Sequence, residues 1–246
     1  GMVYNPYAYL GRFSIIAYPT NSYTVHLMKK EETDYFGTNK VSKVTDYVYD
    51  ATNYQIKRVI ETLGYEKQIT EYTYGYSFTD MFAQNMYGVV TEKTSSINNG
   101  GSDIFVKSVK TPYTKKGNLI VPANIQVKYD IAGAYESRLE YNNYDTFGNP
   151  AYITMDEATK IVYIWGYNYQ YPIAEIKNAT YTDVTAKIPQ TTLEAMGKRL
   201  IPTTDDWAKI ETLETIPNAM VSTFKYKPSI GVCEMTDSRG VTNYYN

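Results

Sequence analysis

Five aromatic side chains recur at every second position between residues 163 and 171, and they are the residues of this sequence best suited to bind a ligand. On an extended strand alternate side chains share one face, so these rings would form a row about 27 Å long at about 3.3 Å per residue. Such a row stacks well on sugar rings or on a partner protein. The chain also has turn character near Gly166–Gln170, so a second interpretation is that the row bends there or lines the inside of a β wall. We call the set the aromatic ladder: Tyr163, Trp165, Tyr167, Tyr169 and Tyr171.

Residues suited to catalysis or metal binding are few. The adjacent carboxylates Asp156/Glu157 and Asp205/Asp206 fall in an apparent turn and in the first turn of a predicted helix, where local structural roles suffice. The single cysteine, Cys233, excludes an intramolecular disulfide and a multi-cysteine zinc site, and the single histidine, His26, has no second histidine to share a task. We therefore predict no catalytic residue, no metal and no cofactor, although a cluster of buried acids would reopen the question of an enzyme.

Composition favours a β-rich protein without a nucleic-acid partner. The chain of 246 residues has a net charge of −2 and no basic excess. It has no apolar run long enough to span a membrane. Its 28 tyrosines suit strands that are half exposed to water. The opening residues, GMVYNPYAYL, resemble the remnant of an expression tag, and we expect the chain to be a piece of a longer polypeptide.

Alternating apolar and polar residues between turn signals predict successive antiparallel strands, with LIVPANIQVKY interpreted as one of them. The pattern Asp-x-x-Gly then marks hairpin tips, because Asp caps a type I turn and Gly accepts positive φ at its end. A calcium site at these loops would need more oxygen ligands than any of them offers. The four predicted turns are Asp34–Gly37, Asp130–Gly133, Asp145–Gly148 and Asp237–Gly240.

One segment, at about 180–217, departs from the strand pattern and predicts a helical insertion. Thr203 and Asp206 have the spacing of a capping box, and apolar residues follow at helical spacing from Trp207. We interpret that apolar stripe as packing against the sheet. A shorter helix is predicted from Gln190, with Gly197 as its C-terminal stop.

Three stretches carry a family resemblance: YDTFGNP at Tyr144–Pro150, YIWGYNYQYPIAEI at Tyr163–Ile176, and the segment Tyr226–Tyr245 that contains MTDSRGVTNYY. Together they resemble the YD repeat of Rhs proteins, and look closest to large secreted or surface proteins of gut-type Gram-negative bacteria. The resemblance is strong over Tyr129–Asn246 and weaker over Asp34–Lys128. It implies long, curling antiparallel sheets, further YD repeats or a C-terminal payload in the same polypeptide, and no catalysis. The irregular repeat spacing and the helical insertion depart from the family pattern.

We therefore predict an all-β chain, a single YD-repeat-like region over residues 1–246, whose antiparallel, twisted, meandering sheet carries one small helical insertion. The expected function is a non-catalytic section of β wall in a larger secreted or cell-surface protein. The alternative is a surface module that binds a glycan or a protein through the aromatic ladder.

Overall fold

The computed structural model of the protein describes residues 25–245, and a 14-stranded antiparallel sheet runs through them, which confirms the predicted fold class. Residues 1–24 and 246 lie outside this description, so predictions that fall on them are not addressed. The strands in the described part are β1 (Lys29–Phe36), β2 (Asn39–Tyr49), β3 (Ile56–Leu63), β4 (Glu66–Tyr74), β5 (Val90–Asn98), β6 (Ile104–Lys110), β7 (Tyr113–Lys116), β8 (Leu119–Pro122), β9 (Asn124–Lys128), β10 (Glu136–Tyr144), β11 (Pro150–Met155), β12 (Thr159–Gly166), β13 (Tyr171–Lys177), β14 (Met220–Lys227), β15 (Gly231–Thr236) and β16 (Thr242–Tyr244).

The strands of the large sheet pair in chain order, except that β7 and β8 leave it between β6 and β9 and form a hairpin of their own. The prediction of one strand in LIVPANIQVKY is wrong for this reason. The chain changes sheets at Ala123, whose N–H bonds Pro112 O at 2.8 Å and whose carbonyl accepts Tyr141 N–H at 3.0 Å. A single residue thus separates a strand of the hairpin from a strand of the main sheet.

The helical segment lies between β13 and β14, as predicted, and a short helix precedes β5. The helices are α1 (Thr79–Ala83), α2 (Tyr181–Lys187), α3 (Gln190–Lys198) and α4 (Thr204–Glu211), with 3₁₀ turns at Gly75–Ser77 and Thr212–Thr215. The predicted capping box of α4 is present, because Asp206 N–H bonds Thr203 Oγ1 and Thr203 N–H bonds Asp206 Oδ2. The prediction that Gly197 stops α3 is wrong, since α3 continues through Lys198 and Gly197 is buried.

An aliphatic core forms where the helices cover one face of the C-terminal strands. Directly paired residues of an antiparallel sheet share a face, and Val162, Ile176 and Val221 are paired in this way across β12, β13 and β14. The helices contribute Val184, Ile188, Met196, Ile210 and Leu213 to the same cluster, each at most 1% exposed. Burial of this set accounts for much of the hydrophobic stabilisation of the fold, since each fully buried side chain contributes about 1.5–3 kcal/mol.

The hairpin of β7 and β8 lies on the opposite face of the sheet, where it contacts β10. Tyr141 shares that face with its partner Ile153, and its ring stacks on Tyr144 with centroids 5.7 Å apart. Tyr144 in turn donates its hydroxyl hydrogen to Pro122 O in β8 at 2.5 Å. Val121, next to Pro122, is buried. The helices and the hairpin therefore cover opposite faces of neighbouring parts of the sheet.

The N-terminal strands β1–β4 form a single layer instead. Among residues 25–245 their main neighbours in space are the adjoining strands, and Ile69 is the one apolar side chain of these four strands that is buried. Backbone ladders and side-chain pairs hold the layer together, such as the hydrogen bond between Thr33 and its partner Ser42 at 2.7 Å. Cross-strand pairs of this kind contribute roughly 0.2–1 kcal/mol each. We call β1–β4 the single-layer region.

Two of the four predicted Asp-x-x-Gly turns have the expected geometry at both ends. Asp145 Oδ1 accepts Phe147 N–H at 2.8 Å, and Gly148 takes φ +87°. Asp237 Oδ1 accepts Arg239 N–H at 2.9 Å, and Gly240 takes φ +80°. In each case the glycine supplies the left-handed residue that lets the chain enter the next strand.

The other two differ from the prediction. Asp130 accepts Ala132 N–H at 3.0 Å in a turn between β9 and β10, but Gly133 does not take positive φ. The turn prediction is wrong at Asp34, which lies within β1 and pairs with Val41. The real tip is a two-residue loop that Gly37 opens at φ +64°, because a two-residue hairpin with a leading glycine suits the twist of the strands.

Candidate functional site

The aromatic ladder does not form one extended row, because the chain reverses direction in the middle of it. Tyr163 and Trp165 lie in β12, and Tyr171 is the first residue of β13. Tyr167 and Tyr169 lie in the turn between them, and each is only 6% exposed. The bend proposed within the ladder is therefore present, and the flat binding platform is not formed by these five rings.

The turn between β12 and β13 is left-handed, with φ of 52° at Tyr167, 56° at Asn168 and 61° at Tyr169. This conformation costs roughly 1–2 kcal/mol for each residue with a side chain. Such strain persists where the surroundings impose it. Here the end of α3 does so, because Asn168 N–H bonds Arg199 O at 2.7 Å and Tyr169 N–H bonds Gly197 O at 2.8 Å.

Tyr167 and Tyr171 pack with Tyr226 of β14 in an aromatic cluster beside the aliphatic core. The rings of Tyr171 and Tyr226 are stacked with centroids 4.6 Å apart, and Tyr167 meets Tyr226 edge-on at 5.6 Å. The Tyr167 hydroxyl accepts Tyr226 N–H at 3.0 Å. Burial raises the pKa of Tyr226, as expected for a phenol removed from water. These two ladder residues serve packing.

Tyr169 joins the turn to both the helices and the preceding hairpin. Its ring stacks on Phe147 with centroids 4.4 Å apart, and its hydroxyl donates to Glu194 O at 3.0 Å. Asn149 Nδ2 donates to Tyr169 O at 2.9 Å, which ties the turn between β10 and β11 to the left-handed turn. Tyr169 is thus fixed on three sides.

Tyr163 and Trp165 are half-buried on the opposite face of β12 from Val162. The Trp165 indole donates Nε1–H to Pro150 O at 2.8 Å, which fixes the orientation of its ring. Burial, and secondarily the charge of the cross-strand partner Glu175, raise the pKa of Tyr163 to about 12. A neutral phenol at this position remains neutral far above physiological pH.

The Tyr163 pKa gives a direct test of this environment. In alkaline titration followed by phenolate absorbance, the difference between the wild type and a Tyr163→Phe variant should have its midpoint at about pH 12 rather than at the ordinary 10.0. The folded state holds the Tyr163 hydroxyl proton more tightly than the unfolded chain does. The contribution of this group to the free energy of unfolding is therefore fully present below pH 10 and is lost as the pH rises through about 12.

Glu175→Gln separates the two causes of the Tyr163 shift. It removes the negative charge, so the midpoint should fall, but it should stay above 10.0 because burial is the larger cause. A midpoint near 10.0 in the wild-type difference spectrum would show that Tyr163 is open to water.

A cleft of about 540 Å³ brings together three of the ladder residues. It lies where the tip of the β7–β8 hairpin, the turn between β10 and β11, the end of β12 and helices α2 and α3 meet. Its volume falls within the range typical of small-molecule sites, about 300–1,000 Å³. Aromatic rings and polar groups line it in mixture: Lys116, Gly117, Asn118, Leu119, Tyr144, Asp145, Thr146, Gly148, Ala151, Tyr163, Ile164, Trp165, Tyr169, Tyr181, Gln190, Leu193 and Glu194.

A partly buried polar cluster centred on Glu92 of β5 and Ser108 of β6 is a feature that sequence reasoning missed. Glu92 accepts hydrogen bonds from Ser108 Oγ at 2.8 Å and from the Tyr135 hydroxyl at 2.5 Å. Lys110 and Lys128 lie over the Tyr135 ring, with Nζ 5.6 and 5.1 Å from its centroid. Glu92 and Ser108 lie on consecutive strands, whereas Lys128 and Tyr135 come from β9 and from the turn after it, so alternation of residue types carried no signal for the cluster.

The carboxylate pairs considered for catalysis hold local structure. Asp156 and Glu157, at φ 46° and 59°, are the first two residues of the three-residue loop between β11 and β12. Asp205 and Asp206 lie in the first turn of α4. Within residues 25–245, no group of three or more His, Cys, Asp and Glu side chains is placed to hold a metal ion.

The lone histidine and cysteine take part in packing. The His26 ring lies 4.7 Å from that of Tyr49 and 5.4 Å from that of Tyr54. Cys233 is half-buried in β15, where its thiol donates to Lys225 O at 3.4 Å.

The fold and the cleft define an antiparallel β protein built on one large meandering sheet, with a helical cap on its C-terminal part. No protein-family model matches the chain, and no curated protein matches it. In the described part of the chain, no helix has both the length and the apolar character needed to cross a membrane.

Proposed function

We propose that the chain is a non-catalytic section of β wall in a larger secreted or cell-surface protein. The observation that carries the proposal is the single-layer region, which continues as the same sheet into the covered C-terminal strands. A catalytic domain needs a rigid core on which to mount its site, whereas a wall needs extended sheet. The adjacent carboxylates also have turn and capping roles, which supports a protein without catalytic residues.

The edges of the sheet support the connection to a longer polypeptide. Within residues 25–245, the outer edges of β1 and β16 have no strand beside them. Unpaired edge groups are a template for further strands, so additional repeats of the same polypeptide would extend the wall by pairing there. The secreted or surface location, and the further YD repeats or payload, rest on the resemblance to Rhs proteins.

Tyrosine stacking, both along one strand and between strands, supports the wall proposal. Tyr72, Tyr74 and Tyr76 stack in series with centroids 6.2 and 6.3 Å apart, along the end of β4 rather than between strands. Tyr171 and Tyr226 stack across β13 and β14. Aromatic contacts of both kinds contribute to the stability of the sheet.

Hydrogen exchange tests the wall proposal. In this chain alone, the amides of β16 should exchange quickly, because an edge strand is paired on one side only. In the longer native polypeptide, the same amides should be protected at least about tenfold more, since a further strand would cover the edge. The amides of β12, paired on both sides, serve as the internal control and should exchange equally in both. Equal exchange of β16 in the two proteins would contradict the proposal.

A second candidate function, binding of a glycan or a protein, is favoured by the cleft and not by the ladder as a platform. Tyr163, Trp165 and Tyr169 line that cleft together with carboxylate and amide side chains. The cleft adds a possible ligand site to the wall without requiring any change in its architecture.

A further inference from the structure

The cleft at the hairpin tip has an aromatic floor whose orientation is fixed before any ligand binds. Trp165 is held by its hydrogen bond to Pro150 O, and Tyr144 by its bond to Pro122 O. Tyr181 donates to Gln190 Oε1 at 2.5 Å. Because these hydroxyl and indole hydrogens are engaged within the protein, the rings meet a ligand through their faces and edges, and little side-chain entropy is lost on binding.

Polar groups stand around this floor. Lys116 and Asn118 are exposed at the tip of the β7–β8 hairpin. Across the cleft, Glu194 of α3 accepts Gln190 Nε2 through Oε1 at 3.0 Å, which leaves acceptor capacity on its carboxylate. The hairpin thus offers the Lys116 ammonium as a donor and the Asn118 amide as both donor and acceptor, and α3 offers the Glu194 carboxylate as an acceptor.

This combination selects the class of ligand. A fully apolar ligand would bury the carboxylate and amide groups without partners, which is costly. An anion such as a phosphate would face the carboxylates of Asp145 and Glu194 with the single ammonium of Lys116 to offset them. A pyranose ring has an apolar face for stacking and hydroxyls that both donate and accept, so it satisfies both parts of the lining.

We propose that this cleft binds a short, uncharged oligosaccharide, with one sugar ring stacked on Trp165 and its hydroxyls bonded to Asn118 and Glu194. The inference deepens the binding function considered as the second candidate above. It does not depend on the wall proposal, because a section of wall can carry such a site or lack it.

The test uses Trp165 as its own reporter. In a Trp207→Phe variant, Trp165 is the one remaining tryptophan, since the chain has two. Maltotriose, cellotriose and chitotriose are titrated first, and the same protein is applied to a broad array of neutral glycans. We expect at least one glycan to change Trp165 emission saturably, with a dissociation constant in the micromolar to millimolar range typical of small clefts, and to protect the indole from acrylamide.

Variants locate the binding. Measured by calorimetry, Trp165→Ala should weaken the identified glycan at least about tenfold. Asn118→Ala, at an exposed loop position, should weaken it several-fold while leaving the melting temperature unchanged, so the test stands even if Trp165→Ala unfolds the sheet. Glu194→Gln should also weaken binding, whereas Glu211→Gln on the exposed side of α4 should not.

Two results would overturn the inference. One is the absence of any neutral glycan that binds the folded protein more strongly than the heat-denatured protein. The other is a glycan whose affinity is unchanged by both Trp165→Ala and Asn118→Ala, because that glycan would be held elsewhere on the sheet. Hydrogen exchange of the β16 amides tests the wall proposal separately, so a negative result in glycan binding does not affect that proposal.

Discussion

A Gly197→Ala variant is expected to be about 3 kcal/mol less stable than the wild type, at the upper end of the usual cost of overpacking. A Cβ at residue 197 would lie 2.3 Å from Tyr169 Cε1 and 2.5 Å from Cζ, far inside van der Waals contact. Alanine has a helix-propensity advantage over glycine of only about 1 kcal/mol, which does not offset this clash. The Tyr169 ring is not free to move away from this clash, because it stacks on Phe147 and its hydroxyl bonds Glu194 O. Urea unfolding measures the difference.

Gly101→Ala is the matched control, since a Cβ at residue 101 meets nothing within 4 Å and its φ is not positive. It should change the free energy of unfolding by no more than about 0.5 kcal/mol. A double-mutant cycle with Tyr169→Ala should reveal a coupling of at least about 1 kcal/mol, because removing the ring removes the clash. An unchanged unfolding midpoint in Gly197→Ala would mean that α3 does not pack against the left-handed turn.

Replacing Asp206 by alanine is the second large effect, and should cost about 3 kcal/mol. The Asp206 side chain is fully buried, receives Thr203 N–H and Oγ1–H at 2.8 and 2.9 Å, and pairs with Arg199. Its removal deletes the reciprocal half of the capping box, the bond that Asp206 accepts from Thr203 N–H, and leaves Arg199 without its partner. The cost stays at the lower end for a broken buried pair because Arg199 is 38% exposed and can be hydrated. Urea unfolding at neutral pH provides the value.

The same residue makes stability depend on acid. Burial alone would raise the pKa of Asp206, but the hydrogen bonds from Thr203 and Arg199 outweigh it and leave the pKa below its ordinary 3.8. The stability from this group is therefore fully present above pH 3.8 and is lost as the pH falls through the lower pKa of the folded state. The difference in the free energy of unfolding between the wild type and Asp206→Asn should therefore become smaller as the pH falls below 3.8.

Asp205→Asn is the neighbouring control. Asp205 is 71% exposed and pairs with Lys209 one turn along α4, so its replacement should cost at most about 0.5 kcal/mol. Equal losses for the two substitutions would argue against a buried, paired Asp206.

Features set by neighbouring residues could be predicted from the sequence. The alternation that produced the strands is local, and so is the capping box of Thr203 and Asp206. The turns at Asp145 and Asp237 follow from an Asx contact over two residues. Asp34 was mistaken for a turn residue because Asp-x-x-Gly competes there with the two-residue loop opened by Gly37, and the register with β2 decides between them.

Features set by tertiary contacts could not be predicted from the sequence. No residue preference predicts tyrosine at positive φ, yet Tyr167 and Tyr169 adopt it because the end of α3 bonds their turn. Glycine is the residue type that commonly ends a helix, but Gly197 lies inside α3. A glycine is needed there because a Cβ would clash with the Tyr169 ring. The ladder supplied three of the residues that line the cleft. The hairpin and helices that complete it come from other segments of the chain, which only the tertiary fold brings together.

The chain-order pairing of the sheet has a consequence for how the protein folds. Most strands pair with the strand just before or after them, so the contacts are short in sequence and loop closure costs little. The longer closures are β4 to β5, around α1, β6 to β9, around the hairpin, and β13 to β14, around the other helices. The C-terminal part, with its aliphatic core, is therefore where a stable nucleus is expected. The strands of the single-layer region would then fold onto this nucleus one hairpin at a time, as the units of a one-dimensional repeat array do.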